Sequence, residues 1–172
     1  MSNELDETVK CFIQDLVRFQ DRQFAKDPIK AKAKKRYVVG LREIKKFLQV
    51  RKISILILAP DVEPVKVKGG LDDVITELIS LAKENEVKFF LIMHDKSNVL
   101  TSFKFQIPYV FTLNRWKLGK ACYRKVPISG IGVLNHQGSD ECFKKIQDFL
   151  QTLRTDYAEK LSNAITNFNA IN

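Results

Sequence analysis

The chain is poor in the side chains that hold metals or staple small folds. It has three cysteines, Cys11, Cys122 and Cys142, and two histidines, His94 and His136. The cysteines are odd in number and widely spaced, so they form neither a Cys-x-x-Cys pair nor a disulfide framework. Reduced thiols in an intracellular protein are expected. Neither histidine stands at a metal-ligand spacing from a cysteine or from the other histidine, which argues against zinc. No apolar run approaches the roughly 20 residues that cross a bilayer, so no membrane partner is expected. The opening MSNELDETVK is acidic and polar, unlike a secretory leader. A nucleotide-binding P-loop needs a Gly-Lys-Ser/Thr ending, and none occurs. No cofactor is expected.

What the chain has is positive charge, and it is concentrated. The 172 residues carry 29 Lys or Arg and 20 Asp or Glu, a net charge of +9. Between Lys26 and Lys52 stand 11 basic residues and two acids, Asp27 and Glu43, so this window alone carries 11 − 2 = +9. The remainder has 18 of each sign and sums to zero. A solvated lysine-rich face is the commoner origin of such a run. Here the even balance elsewhere favours a surface for a polyanion, held through counterion release.

Apolar periodicity predicts a helix over Asn3–Phe24, with Leu5, Val9, Phe12, Leu16 and Phe19 on one face. Pro28 ends it. Ile29–Arg36, IKAKAKKR, is basic and poorly amphipathic, and is expected to extend along a partner and to order on contact. Gly40 precedes a short helix, Leu41–Val50. Ile53–Ala59 is a continuous apolar run bounded by Pro60, which fits a buried central strand. A loop, Asp61–Gly70, leads to a helix from Leu71 to about Glu86, with Val74, Leu78 and Leu81 facing the core. Ile107–Leu113 is expected as a second buried strand, Asn114–Ala121 as a short helix and Ile128–Leu134 as a third strand. Ser139 is placed to cap a long final helix. Its apolar positions run from Phe143 through Ile146, Leu150, Leu153 and Tyr157 to Phe168, and its distal half is expected to pair with the first helix. Alternating strands and helices predict a three-layer α/β/α sandwich around a small mixed sheet, with long helices added at both termini.

Three stretches resemble the kink-turn-binding ribosomal-protein family: Gly40-Leu41-Arg42-Glu43-Ile44-Lys45-Lys46; the strand exit Ala59-Pro60-Asp61-Val62-Glu63-Pro64; and Ile107-Pro108-Tyr109-Val110-Phe111 with Leu118-Gly119-Lys120-Ala121. Longer motifs resemble the SECIS-binding branch of that family. They are Leu16 to Arg22, Lys26-Asp27-Pro28, Lys30-Ala31-Lys32, Gly40 to Glu43, Lys68 to Asp73, and Leu113-Asn114-Arg115. The likeness covers most of the chain outside residues 87–106. It implies residues 1–36 as an N-terminal helix and basic arm, and residues 37–172 as the kink-turn RNA-binding domain, with 154–172 as its distal helix.

The resemblance implies binding to the SECIS hairpin of selenoprotein messages, whose kink-turn-like core holds tandem sheared G·A pairs. It further implies recoding of UGA as selenocysteine, with the ribosome and a selenocysteine-specific elongation factor as partners. A monomer is expected, in the cytoplasm and, as a second location, the nucleus. By this resemblance Glu43 reads guanine, Arg42 contacts a base or its phosphate, and Lys46 meets phosphate. Glu43 bridging Lys45 or Lys46 is the structural alternative. Gly40 and Leu41 bring backbone close to the RNA at a helix start, although Gly40 serves a plain turn equally well. Lys32, Lys34, Lys35 and Arg36 add affinity through phosphate. Asn114 and Arg115 lie over the kinked bulge, with a simple helix cap as the alternative for Asn114. Trp116 either stacks on a base or is partly buried. Lys66, Lys68, Gly69 and Gly70 form a basic loop suited to phosphate.

Residues 87–106 have no counterpart in the resemblance. Their ends, Val87-Lys88 and Phe105-Gln106, are encodable as GTAAAR and TTTCAG, the form of intron boundaries. These twenty residues are therefore expected to be an in-frame retained intron or an unremoved error in the gene's exon assignment, and the 60-nucleotide segment's presence in the spliced message would refute that. VKFFLIM within them has strand character and is expected as an edge strand or a loop. The chain also starts almost at the domain, so RNA binding without recoding by this chain alone is expected. Two other readings compete. One is a structural kink-turn protein of the ribosome or a small nucleolar particle. The other is an enzyme built on Asp61, Glu63, Asp72 and Asp73, which lacks any accompanying nucleophile or base. Asp72 and Asp73 are more simply helix-dipole partners.

Overall fold

The computed structural model describes residues 3–62, 70–94 and 107–171. Its elements, in chain order, are α1 (Asn3–Lys26), α2 (Pro28–Ala33), β1 (Tyr37–Val39), α3 (Leu41–Gln49), β2 (Ile55–Leu58), α4 (Leu71–His94), β3 (Tyr109–Phe111), α5 (Arg115–Ala121), β4 (Gly130–Val133) and α6 (Asp140–Ile171). The strands form one mixed sheet in the order β1-β4-β2-β3. β4 runs antiparallel to both β1 and β2, and β3 runs parallel to β2.

The period of two along each strand divides the core into two layers. Ile55 and Ile57 face one side of β2, with Val110, Ile131 and Val133 from its neighbours. They meet Leu5, Val9, Phe12, Ile13, Leu16 and Val17 of α1, Leu118 and Ala121 of α5, and Ile146 of α6. Leu56 and Leu58 face the other side, against Leu41, Ile44 and Leu48 of α3 and Leu78 and Ala82 of α4. The result is the expected α/β/α sandwich. β2 is wholly buried, as its unbroken apolar run predicts.

α3 lies close on the sheet because β4 alternates glycine with branched residues. A Cβ on Gly132 would stand 2.9 Å from Ile53 Cδ1 and 3.3 Å from Ile44 Cγ1. The β-carbon is thus omitted where the helix crosses the strand.

Five expectations are corrected. Residues 28–33 form a helix instead of an extended arm. Asp27 caps it by accepting from Ile29 N and Lys30 N, Pro28 opens it, and Ala31 is buried. Tyr37–Val39 is a strand that the charge around it concealed, paired with β4 on the sheet edge. β3 is the opposite edge, and only Val110 of its three residues is buried. α4 continues past Glu86 to His94, so Val87–Met93 is helical instead of strand or loop. No glycine or proline interrupts Leu71–His94, and nothing local stops the helix. Residues 95–106 lie outside the described residues.

The fifth correction concerns α6. It packs on α1 through its proximal half: the Phe12 and Phe143 rings are 6.2 Å apart, and Ile146 is fully buried. Every described side chain from Gln151 to Lys160 is exposed, including Leu153 and Tyr157. Ser139 stands at the start of α6, and its carbonyl accepts from Phe143 N. Its buried hydroxyl has no partner among the described residues, so it does not cap as expected.

Candidate nucleic-acid interface

β1 and β2 both oppose β4, and β3 follows β2, so β1, β2 and β3 run in one direction. Their carboxyl ends therefore share one edge of the sheet. Three exits meet there: Gly40 after β1, Ala59-Pro60-Asp61 after β2, and Thr112-Leu113-Asn114 after β3. α3 and α5 both begin at this edge, with their amide ends toward it. Open α/β sheets place their ligands at such an edge.

Gly40 occupies a backbone conformation with φ 98°, which side-chain-bearing residues rarely adopt. Its N–H donates to Gly130 O at 3.2 Å, and its carbonyl accepts from Ile44 N at 3.0 Å. Among the described residues, no atom lies within 4 Å of where its Cβ would be. The glycine is thus required by the turn, and the space beside it is open. No side chain caps α3 there, which leaves first-turn N–H groups available to an acceptor.

Leu41 turns inward: it is 8% exposed and packs under α3 with Ile44 and Leu48. Its side chain is removed from any surface contact. Arg42 is exposed and has no ion pair among the described residues. Glu43 accepts from Lys46 Nζ at 3.0 Å, with both side chains largely in solvent. An exposed pair of this kind is worth only about 0.3–0.5 kcal/mol, so a ligand can displace it. Lys45 points elsewhere and bridges Glu77 of α4 at 2.6 Å.

At the exit after β3, Asn114 caps α5 by accepting from Lys117 N at 2.8 Å. The capping role weighed for it is therefore present, and the side chain remains exposed. Arg115 N donates to Asp61 Oδ1 at 2.8 Å, and the Arg115 guanidinium lies 3.6 Å from Asp61 Oδ2. This pair ties the β2 exit to the β3 exit. Asp61 is committed to that link, which removes it from the carboxylate cluster an enzyme would need. Asp72 and Asp73 occupy the first turn of α4, where the helix dipole favours them. Glu63, Lys66, Lys68 and Gly69 lie outside the described residues. Trp116 is 59% exposed, so the buried alternative is excluded.

The basic arm is at the other end of β1. Four residue steps at ~3.3 Å each separate Gly40 from Arg36 by about 13 Å. Lys32, Lys34 and Lys35 are exposed. Arg36 differs from them and corrects the expectation of four equivalent cations. Its N–H donates to Gln20 Oε1 at 2.9 Å, and its Nη1 donates to Gln137 O at 2.6 Å. Its guanidinium carbon sits 5.3 Å from the Phe19 ring centroid. Arg36 is an anchor between α1 and the turn before α6. Both acids of the basic window are locally paired, Asp27 with Lys30 and Glu43 with Lys46.

Behind α5, burial pushes the Cys122 thiol up to about 11, partly offset by the Arg124 charge. It is a packing residue without a reactive thiolate. Among the described residues, no group of three His, Cys, Asp or Glu could hold a metal ion, and no helix is long and apolar enough to cross a membrane.

A family model, the ribosomal protein L7Ae/L30e/S12e/Gadd45 family, matches residues 23–143. The chain belongs to this family. Its matched region holds all three strand exits, α3, α5 and the arm. Over 161 residues, 94% of the chain, it is 37% identical to the rat selenocysteine insertion sequence-binding protein 2, and covers 17% of that protein. Over 162 residues it is 34% identical to the mouse selenocysteine insertion sequence-binding protein 2-like, covering 13% of it. The chain thus spans under a fifth of the length of these relatives. Among solved structures, a Giardia lamblia 15.5kD RNA binding protein matches with a TM-score of 0.53 over 89% of this chain and 92% of that one. At 18% identity that likeness speaks for the fold alone. The family recognised in the sequence motifs is the one these comparisons return.

Proposed function

We propose that this chain binds RNA, and specifically a kinked stem of the SECIS type, through the edge where β1, β2 and β3 end. One observation carries the reading. The open, uncapped start of α3, bearing Arg42, Glu43 and Lys46, shares that edge with the Asn114–Arg115 exit. One open helix amide end, two arginines and one displaceable carboxylate suit an irregular RNA better than a regular duplex. A carboxylate in a cationic window costs affinity for a polyanion unless it reads a donor, and the N1–H and N2–H of a sheared guanine are such donors. Lys32, Lys34 and Lys35 then add backbone contacts farther along the stem. The similarity to selenocysteine insertion sequence-binding proteins supports the choice of RNA.

On this reading the chain supports UGA recoding as selenocysteine, with the ribosome and the selenocysteine-specific elongation factor as partners. It acts as a monomer in the cytoplasm, with the nucleus as a second location. A structural kink-turn protein of the ribosome or a small nucleolar particle is the competing role, and the family membership favours it equally. Gel shifts decide between them. SECIS RNA is expected to bind more tightly than a plain kink-turn stem, and a G·A-mutant SECIS is expected to lose that advantage. Equal affinity for all three RNAs would refute the SECIS reading.

A further inference from the structure

The ladder with β2 holds the β3 exit only as far as Thr112, whose N–H donates to Leu58 O at 3.1 Å. Thr112 is fully buried, and Leu113 adopts φ 54°, a left-handed conformation that is costly for a leucine. A strained residue immediately before Asn114 sets the direction in which Asn114 and Arg115 leave the sheet, so something must hold it. Part of the hold is apolar, since the Leu113 side chain is buried at 3%. Beyond the Thr112 N–Leu58 O bond, the polar part comes from Asp6 in the first turns of α1. Asp6 Oδ1 accepts from Thr112 Oγ1 at 2.5 Å and from Leu113 N at 3.3 Å. These bonds span more than 100 residues of sequence. One carboxylate oxygen thus collects two donors from the turn, and the half-buried Asp6 has no ion pair among the described residues. A carboxylate placed against buried backbone without a cation is costly unless such bonds offset it.

We infer that Asp6 is a positioning residue for the RNA-binding edge: it fixes the Thr112–Leu113 turn and so aims Asn114 and Arg115. α1 is then a working part of the binding unit, although Asp6 lies outside the family-matched residues 23–143. The inference rests on the proposed RNA reading only for its functional consequence, because the positioning itself is measurable without RNA.

Asp6→Ala removes both bonds, whereas Asp6→Asn keeps an oxygen that accepts both donors. The first readout is amide hydrogen exchange of the free full chain. Asp6→Ala is expected to speed exchange at Leu113 and Asn114 at least tenfold, with the amides of β2 unchanged and Asp6→Asn close to the parent. Exchange at Leu113 unchanged in Asp6→Ala overturns the inference, whatever the chain binds. The second readout is affinity for a SECIS stem by fluorescence anisotropy, in a cycle with Arg115→Ala. Asp6→Ala is expected to weaken binding about fivefold to twentyfold in the parent and to have little further effect once Arg115 is gone. Equal losses in both backgrounds overturn positioning through the turn. A parent chain that fails to bind the stem refutes the RNA reading instead, and leaves the exchange result to decide Asp6.

Discussion

Lys32, Lys34 and Lys35 ride on and just beyond a six-residue helix, whereas Arg42, Glu43 and Lys46 ride on a helix whose inner face is locked into the core. Both groups come from one basic window, on either side of β1, whose flanking residues Arg36 and Gly40 are about 13 Å apart. The first has one buried contact, Ala31. The second has Leu41, Ile44 and Leu48 beneath it, and Gly132 lets α3 approach the sheet. The comparison teaches that charge in a sequence window does not make one surface. Cations on a loosely held element supply attraction with little directional demand. A carboxylate and two cations on a rigid helix, at an edge shared with a second helix start, hold a fixed pattern that can discriminate.

The largest effect should come from undermining the rigid side. Ile44→Ala opens a cavity under α3 and should cost about 2–5 kcal/mol of stability, read as a lower denaturant midpoint. Lys34→Ala should stay within about 0.5 kcal/mol. Similar costs at the two sites would end the distinction. Next comes the affinity side. Replacing Lys32, Lys34 and Lys35 together by alanine should weaken every RNA and flatten the log-affinity against log-salt slope by about 2 to 3, since each lost phosphate contact removes roughly 0.9. An unchanged slope would mean that the arm touches no phosphate. Glu43→Ala is smaller in affinity and sharper in meaning. Discrimination against stems lacking the G·A pairs should fall by about 1–3 kcal/mol, the usual worth of a good base-edge contact. Retained selectivity in competition gel shifts would return Glu43 to a simple partner of Lys46.

The smallest expectation concerns two thiols, Cys122 at the carboxyl end of α5 and Cys11 on α1. The Cys122 thiol is raised to about 11, so at pH 8 it stays protonated, and its thiolate fraction grows only as pH climbs toward that value. Exposed Cys11 should therefore be alkylated first in the native chain. Cys122 should react only on unfolding, as counted by mass spectrometry. Modification of Cys122 at the same rate would show that α5 is less firmly seated than its packing implies.

Much of this was legible in the sequence because it depends on local pattern. The three-four spacing of Leu5, Val9, Phe12 and Leu16 predicted α1, and the unbroken apolar run after Lys52 predicted the central strand. Gly40, Leu118 and Gly119 stood in motifs that resembled the right family. The N-cap alternative for Asn114 and the Lys46 bridge for Glu43 were also readable from spacing. What failed depended on contacts between distant residues. β1 is three residues long and carries no signal until β4 pairs with it. α2 looked unstructured because its single buried residue, Ala31, matters only once α1 is beside it. Arg36 read as one more free cation, and only Gln20, Gln137 and Phe19 make it an anchor.

The sequence by itself determined the alternation of helices and strands, the apolar faces and the amount and sign of the charge, since these follow from side-chain size, polarity and spacing. Tertiary structure alone decided which charges stand together. Strand direction gathers Gly40, Asp61 and Asn114 on one edge and sends the lysine arm to the other. A carboxylate in α1 supports a turn more than 100 residues away. Those assignments depend on how the strands pair and how the helices pack across them, and neither is carried by any local stretch of chain.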